Sequence, residues 1–133
     1  MTARLARLKT RGEFLRVAAV RVRAVRPGLI LQAAPRPADT AGEAGTSRVG
    51  FTASRRVGNA VARNRAKRRL RAAADTVLVR QGKAGMDYVL IARAETGARA
   101  YVQLLADLEG ALRQIARPHA RNDTARETRG EEG

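Results

Sequence analysis

The sequence of 133 residues holds 27 Lys and Arg against 12 Asp and Glu, a formal net charge of +15 at pH 7. A chain of this length is expected to form one domain, and so high a charge favours a nucleic-acid partner over an acidic membrane surface. The absence of Cys excludes a disulfide framework, thiolate catalysis and Cys-based zinc sites.

The N-terminal segment is basic, and Arg and Lys interrupt it before the apolar region of a signal peptide can form. No apolar run approaches the ~18 residues of a membrane span, so we predict a cytoplasmic protein without membrane contact. Thr10 and Glu13 then fit a capping box that opens a short helix. Phe14, Leu15 and Ala18 give this helix an apolar edge, and Phe14 suits either a core or the border of a cleft.

Three short segments that follow are alternating or continuously apolar, as strands are: residues 21–26, 29–34 and 48–54. Between the second and the third, residues 35–47 are turn formers with little apolar content, which predicts a flexible hairpin loop. Val49, Phe51 and Ala53 share one face of the third strand, and we expect Phe51 to lie in the core.

Residues 55–71 hold eight cations and no carboxylate. Asn59 is a good helix N-cap, and nothing breaks a helix from Ala60 until Gly82. At about 100° per residue, a seam of small and apolar residues runs along one side of this helix. The adjoining face carries five polar side chains: Arg63, Asn64, Lys67, Arg68 and Arg71. Arg65 and Arg69 lie further round the helix. A solvated surface is one interpretation, but unopposed cations repel each other along a helix, which favours a phosphate-binding face.

Residues 86–92 are nearly all apolar, which indicates a central strand covered on both faces. An amphipathic helix follows, because large apolar residues recur at helical spacing: Tyr101, Leu105, Leu108, Leu112 and Ile115. Gly110 weakens this helix by ~1 kcal/mol relative to Ala, and Pro118 ends it. We expect Tyr88 and Tyr101 to lie in the core, and residues 117–133 to form a disordered polar tail.

The predicted order is α-β-β-β-α-β-α over a domain of residues 1–116. The strands before and after the basic helix are expected in one sheet, which makes this a small two-layer α+β sandwich of helices on a sheet.

We find no catalytic constellation. The only His, His119, lies in the polar tail, so no Ser-His-Asp or Cys-His set exists. The carboxylates are scattered and are interpreted as surface charges or caps. No phosphate-cradling loop or dinucleotide fingerprint is present. The sequence therefore predicts a binding protein with no catalytic or metal-ligating residues, and any catalysis is expected from a partner.

Residues 48–71, RVGFTASRRVGNAVARNRAKRRLR, closely resemble the signature of the bacterial ribonuclease P protein subunit, and the likeness extends to GEFLRV at 12–17 and DYVLIAR at 87–93. The resemblance implies a sandwich of the ribosomal protein S5 domain 2-like type with a left-handed βαβ crossover. It also implies a protein that assists endonucleolytic removal of the 5′ leader from precursor tRNA. Its partners would be the catalytic ribonuclease P RNA and precursor tRNA, with no obligate protein partner. The RNA would hold Mg²⁺ and perform the hydrolysis, and the protein would bind no cofactor.

The resemblance also assigns roles to residues. The helix residues that would contact the RNA subunit are Arg63, Asn64, Arg65, Lys67, Arg68 and Arg71. Phe14 and Arg56 match an aromatic and a cation of the leader cleft. Ala18 and Gln32 stand where the family often has aromatics, so electrostatics would carry more of the leader contact.

Three other interpretations compete with this one. A ribosomal or other structural RNA-binding protein would share the charge, the size and the sandwich. A DNA-binding helix module would need a second helix before the basic one, where the sequence predicts a strand. A self-sufficient nuclease would need catalytic groups that the sequence lacks.

Overall fold

A computed structural model of the chain describes residues 4–36 and 46–116. The elements of this part of the chain are, in order, β1 (Arg4–Arg7), α1 (Arg11–Val20), β2 (Val22–Arg26), β3 (Leu29–Pro35), β4 (Thr46–Thr52), α2 (Ala60–Gln81), β5 (Met86–Ala92) and α3 (Tyr101–Ala116). A short 3-10 turn, Arg55–Val57, joins β4 to α2. The predicted elements are thus confirmed with small shifts of their ends. The four-residue strand β1 is additional, being too short to show an alternating pattern.

The helix starts follow from capping side chains, as predicted. The Thr10 hydroxyl accepts a hydrogen bond from the Glu13 amide at 3.2 Å, and Glu13 Oε1 accepts one from the Thr10 amide at 3.0 Å. At the start of α2, Asn59 Oδ1 accepts a hydrogen bond from the Ala62 amide at 2.9 Å. Each contact satisfies backbone donors that the first helical turn leaves unpaired.

The five strands form one mixed sheet in the order β1-β4-β5-β3-β2. β4 and β5 are parallel neighbours joined through α2, so the strands flanking the basic helix do share a sheet. The left hand of this crossover stays a prediction. β3 is antiparallel to β5.

The hairpin predicted between the second and third strands is wrong. β5 lies between β3 and β4, so the intervening segment joins two strands that do not pair with each other. Most of that segment, residues 37–45, lies outside the described residues.

The larger core lies between the sheet and the layer formed by α2 and α3. The small-residue seam of α2 packs into this core, with Ala66, Leu70, Ala73 and Val77 all fully buried. From the sheet, Tyr88 joins the same cluster and Phe51 packs against it. The predicted seam of α2 and the core positions of these two aromatics are therefore confirmed.

The helix α1 lies on the opposite face of the sheet. Its Val17 packs with Leu8, Ala34 and Val89, and the half-buried Phe14 contacts this smaller cluster. Since β5 contributes to both clusters, it is covered on both faces, as predicted for a central strand.

The prediction that Tyr101, the first residue of α3, lies in the core is wrong. Leu104 is fully buried, whereas Tyr101 remains 40% exposed and its hydroxyl lies 3.4 Å from Thr76 Oγ1 of α2. The absence of a side chain at Gly110 makes room for Arg26, because a Cβ there would lie 2.3 Å from Nη2 of Arg26. None of the helices in the described ranges is long and apolar enough to cross a membrane.

Candidate nucleic-acid interface

The cationic face of α2, which we define as Asn64, Lys67, Arg68 and Arg71, is open to solvent. Asn64 and Arg68 are exposed, and Lys67 and Arg71 are half-buried. Across the described ranges of the chain, no protein group forms a hydrogen bond or ion pair with these three cations. Their charge is therefore available to an external anion.

Arg63 lies beside this face and also stabilises the turn before α2. Its Nη1 donates a hydrogen bond to the Gly58 carbonyl at 2.9 Å. Gly58 has a φ of 142°, which favours glycine, and a Cβ there would lie 2.9 Å from the Cβ of Ala62. The arginine thus holds the backbone at the point where the chain enters the helix.

Arg65 and Arg69 project to the other flank of α2, towards the connection between β5 and α3. Arg65 Nε donates to the Gly97 carbonyl at 3.2 Å. Arg69 donates to the carbonyls of Thr96, Gly97 and Arg99. Arg65 therefore has a backbone partner that the cations of the cationic face lack, and Arg69 has contacts that the charge pattern alone does not reveal.

Phe14 lies against the sheet on the face opposite α2. Its ring covers Gly50 of β4, where a Cβ would come within 2.4 Å of the ring carbon Cζ. Gly50 thus provides the space that this ring occupies. Gln32 is half-buried and Ala18 is exposed. These are the two positions at which the sequence departs from the aromatics frequent in the family that it resembles.

Arg56 is exposed in the 3-10 turn that follows β4. Its amide donates a hydrogen bond to Ser54 Oγ at 3.3 Å. The turn joins β4, whose Gly50 lies beneath Phe14, to α2, which carries the cationic face. Arg56 therefore lies on the connection between the two predicted binding surfaces.

An ion-pair network fixes α1 beside Phe14. Asp87 on β5 is fully buried and binds Arg48 of β4 through two hydrogen bonds, Nε to Oδ1 at 2.8 Å and Nη2 to Oδ2 at 2.7 Å. Arg16 of α1 also pairs with Asp87. Arg48 Nη1 reaches Glu13 Oε2 at 2.9 Å. The network ties one helix to two strands.

Two backbone amides, together with Arg48 of this network, lower the pKa of Glu13. Hydrogen bonds from the Lys9 and Thr10 amides lower the pKa of this carboxyl, and the charge of Arg48 lowers it further. All three interactions favour the ionised form. Sequence reasoning identified the capping role of Glu13 but missed its ion pair with Arg48.

The prediction that the carboxylates are surface charges or caps is wrong for two of them. Asp87 is buried as described, and Asp107 is only 5% exposed. Asp107 Oδ2 accepts hydrogen bonds from Arg99 Nε at 2.5 Å and from the Gly28 amide at 3.0 Å. A single charged residue in an otherwise apolar strand was the available signal for Asp87, since such a residue is buried only with a partner.

Within residues 4–36 and 46–116, no three His, Cys, Asp or Glu residues are grouped so that they could hold a metal ion. His119 lies outside the described residues.

Comparison with known proteins identifies related sequences. The family model described as Ribonuclease P matches residues 2–116. The chain is 55% identical over 115 residues to the ribonuclease P protein component of Paramagnetospirillum magneticum, covering 86% of each chain. It is 51% identical over 112 residues to that of Ruegeria pomeroyi, covering 84% of this chain and 86% of the relative.

Solved structures show the same fold. The RNase P protein of Staphylococcus aureus matches with a TM-score of 0.64 at 23% identity, over 84% of this chain and 94% of that one. The RNase P protein from Thermotoga maritima matches with a TM-score of 0.61 at 23% identity, over 78% and 92% of the two chains.

Proposed function

The chain belongs to the bacterial ribonuclease P protein family, and from this premise we propose that it binds the catalytic RNA through α2 and the 5′ leader of precursor tRNA through the surface around Phe14. Membership makes it a protein component of an endoribonuclease that acts in tRNA processing. The observation that carries the proposal is the cationic face of α2, whose three cations have no protein partner in the described part of the chain.

The cationic face suits the phosphates of a folded RNA. Arginine presents a planar fork of donors that matches phosphate oxygens, and lysine adds a point charge. Arg63 and Arg65 flank this face, one on each side, and would extend the contact. Asn64 adds a donor and an acceptor that can bind a ribose hydroxyl or a base edge.

The leader would lie on the sheet face that carries α1. Phe14 offers one aromatic side chain for stacking, and each stacked base is worth ~1–3 kcal/mol. With Ala18 and Gln32 at the neighbouring positions, this surface has little additional stacking area. We therefore assign more of the leader contact to cations, with Arg56 as the first of them.

The hydrolysis itself would belong to the RNA subunit, which would hold the Mg²⁺ ions. The buried carboxylates Asp87 and Asp107 are bound to arginines, and Glu13 serves as a helix cap and an ion-pair partner. None of these three acids is placed to receive a substrate proton. The role left to the protein is to position RNA and substrate.

Reconstitution with a bacterial ribonuclease P RNA and a precursor tRNA at low magnesium tests the proposal. We expect the protein to stimulate release of the 5′ leader and to show no cleavage without the RNA. A mature tRNA competitor, which lacks the leader, should bind the holoenzyme more weakly than the precursor does. RNA binding without stimulated cleavage would contradict the proposal and favour a ribosomal or other structural RNA-binding protein.

A further inference from the structure

Arg69 donates more side-chain hydrogen bonds to the protein than any other basic residue of α2. Nη1 donates to the carbonyls of Thr96 and Gly97, both at 2.9 Å, and Nη2 donates to that of Arg99 at 2.6 Å. The side chain is half-buried. In the described ranges no carboxylate pairs with it, so carbonyl dipoles alone offset its charge.

The Gly97 carbonyl also accepts a hydrogen bond from Arg65, which lies one helical turn before Arg69 in α2. Arg65 Nε donates to the same oxygen that accepts from Arg69 Nη1. This bond uses the inner nitrogen of Arg65 and leaves both terminal nitrogens of its exposed guanidinium for another acceptor. Since the guanidinium is a rigid plane, a bond at Nε also sets the direction of the two outer donors.

The connection that carries this carbonyl is held from its other side. Thr96 is fully buried, and its hydroxyl donates to the Gly28 carbonyl at 2.7 Å and accepts from the Arg93 amide at 2.7 Å. The Gly28 amide in turn donates to Asp107 of α3. Thr96 thus anchors the connection just before Gly97, and the Gly97 carbonyl itself is held by Arg69 Nη1.

We infer that Arg69 is a positioning residue for RNA binding, which holds the Gly97 carbonyl so that this oxygen orients Arg65 towards an RNA phosphate. Arg69 does not itself contact the RNA. The inference rests on the proposed function, because the anion that Arg65 receives is a phosphate of the catalytic RNA. An oriented guanidinium binds a phosphate through two parallel hydrogen bonds and loses less side-chain freedom on binding.

A double-mutant cycle between Arg65 and Arg69 tests this inference. Arg69→Lys keeps the charge but cannot span three carbonyls, and we expect it to weaken binding of the catalytic RNA about ten-fold. In an Arg65→Ala background, the same change should have no further effect. Arg80→Lys is the matched control, because Arg80 also donates to a backbone carbonyl of α2, at 3.1 Å, and lies outside the proposed site.

Salt dependence separates positioning from direct contact. Arg65→Ala should lower the slope of log affinity against log salt by nearly one unit, on the estimate of ~0.9 per phosphate contact. Arg69→Gln, which keeps a donor for the carbonyls, should leave the slope unchanged in the Arg65→Ala background. A further fall of nearly one unit there would show that Arg69 itself neutralises a phosphate and would overturn the inference.

Affinities are compared at a temperature at which thermal unfolding shows every variant to be folded. If Arg69→Lys does not fold, the cycle is measured with Arg69→Gln. Equal losses of affinity in both backgrounds, or no loss in either, would contradict the inference. Failure of the proposed function would look different: the wild-type protein itself would neither bind nor stimulate the catalytic RNA.

Discussion

At the scale of single residues, the basic stretch divides into two groups that its sequence does not distinguish. Lys67, Arg68 and Arg71 have no protein partner in the described ranges, whereas Arg63 and Arg69 bind backbone carbonyls. Charge pattern shows that cations lie close together on a helix. It does not show which of them a neighbouring loop uses.

Replacing Lys67, Arg68 and Arg71 together by Gln should weaken binding of the catalytic RNA and leave the fold intact. In the described ranges the three side chains make no hydrogen bond or ion pair that the change would remove, so the free energy of unfolding should stay within about 1 kcal/mol of wild type. The slope of log affinity against log salt should fall by about two to three units.

The matched control for this variant neutralises three exposed cations outside the site, Arg80, Lys83 and Arg113. It removes the same net charge, so it separates local contact from overall attraction. A slope change as large in the control as in the first variant would contradict a specific role for the cationic face.

Gly50→Ala should displace Phe14, because the added Cβ would overlap the ring. Overpacking of this kind costs ~1–3 kcal/mol, which chemical unfolding can measure. If Phe14 contacts the leader, the holoenzyme should also lose affinity for precursor tRNA relative to mature tRNA, while affinity for the RNA subunit is unchanged.

Phe14→Leu provides the comparison for this variant. It keeps an apolar side chain over Gly50 and removes the stacking surface. If precursor affinity falls with Gly50→Ala but not with Phe14→Leu, the ring is needed only for packing and does not stack on the leader.

At the scale of elements, α1 is attached to the sheet by ion pairs as well as by a small apolar cluster. Its one fully buried apolar residue is Val17, and the helix is held by Glu13 and Arg16 through Arg48 and Asp87. Replacing one member of a buried ion pair usually costs more than the pair contributes, because the partner charge is left unpaired. The position of Phe14 therefore depends on this network.

The attachment of α1 should depend on pH through Glu13. Its folded-state pKa lies below the ordinary value of 4.5, so the ionised form stabilises the folded protein. This stabilisation is fully present above the ordinary pKa and is lost as the pH falls through the lowered one. The free energy of unfolding of wild type should thus exceed that of Glu13→Gln at about pH 7, and the difference should shrink as the pH is lowered below 4.5.

Chemical unfolding over this pH range measures the difference, and comparing the two proteins cancels the titration of the other carboxylates. Asp75→Asn, at an exposed position of α2, is the control for carboxylate loss. A gap between wild type and Glu13→Gln that is independent of pH would contradict the role assigned to the ionised carboxylate.

At the scale of the whole molecule, the fold presents two surfaces on opposite faces of one sheet. α2 carries the cationic face on one side, and α1 with Phe14 lies on the other. The 3-10 turn with Arg56 links them. Such an arrangement suits a protein that contacts one RNA while it holds a strand of another.

The two surfaces should be separable by experiment. Neutralising the cationic face should weaken assembly with the RNA subunit for every substrate, and Arg56→Gln should weaken only substrates that carry a leader. Affinities of the assembled holoenzyme for precursor and mature tRNA check the second effect. Equal losses for both substrates with Arg56→Gln would contradict the assignment of Arg56 to the leader.

The sequence by itself determined the local structure and the family of this protein. Local features can be predicted because each depends on residues close together in the chain. They include the capping pair of Thr10 with Glu13, the helix after Asn59 and the central strand 86–92. The signature at 48–71 is likewise one continuous stretch.

Only the tertiary structure decided how distant segments meet. The insertion of β5 between β3 and β4, the pairing of Arg48 with Asp87 across 39 positions and the contacts of Arg69 with carbonyls 27 to 30 positions away depend on the packed sheet. No local periodicity records such contacts, because buried charges and backbone acceptors find their partners only when the chain has folded.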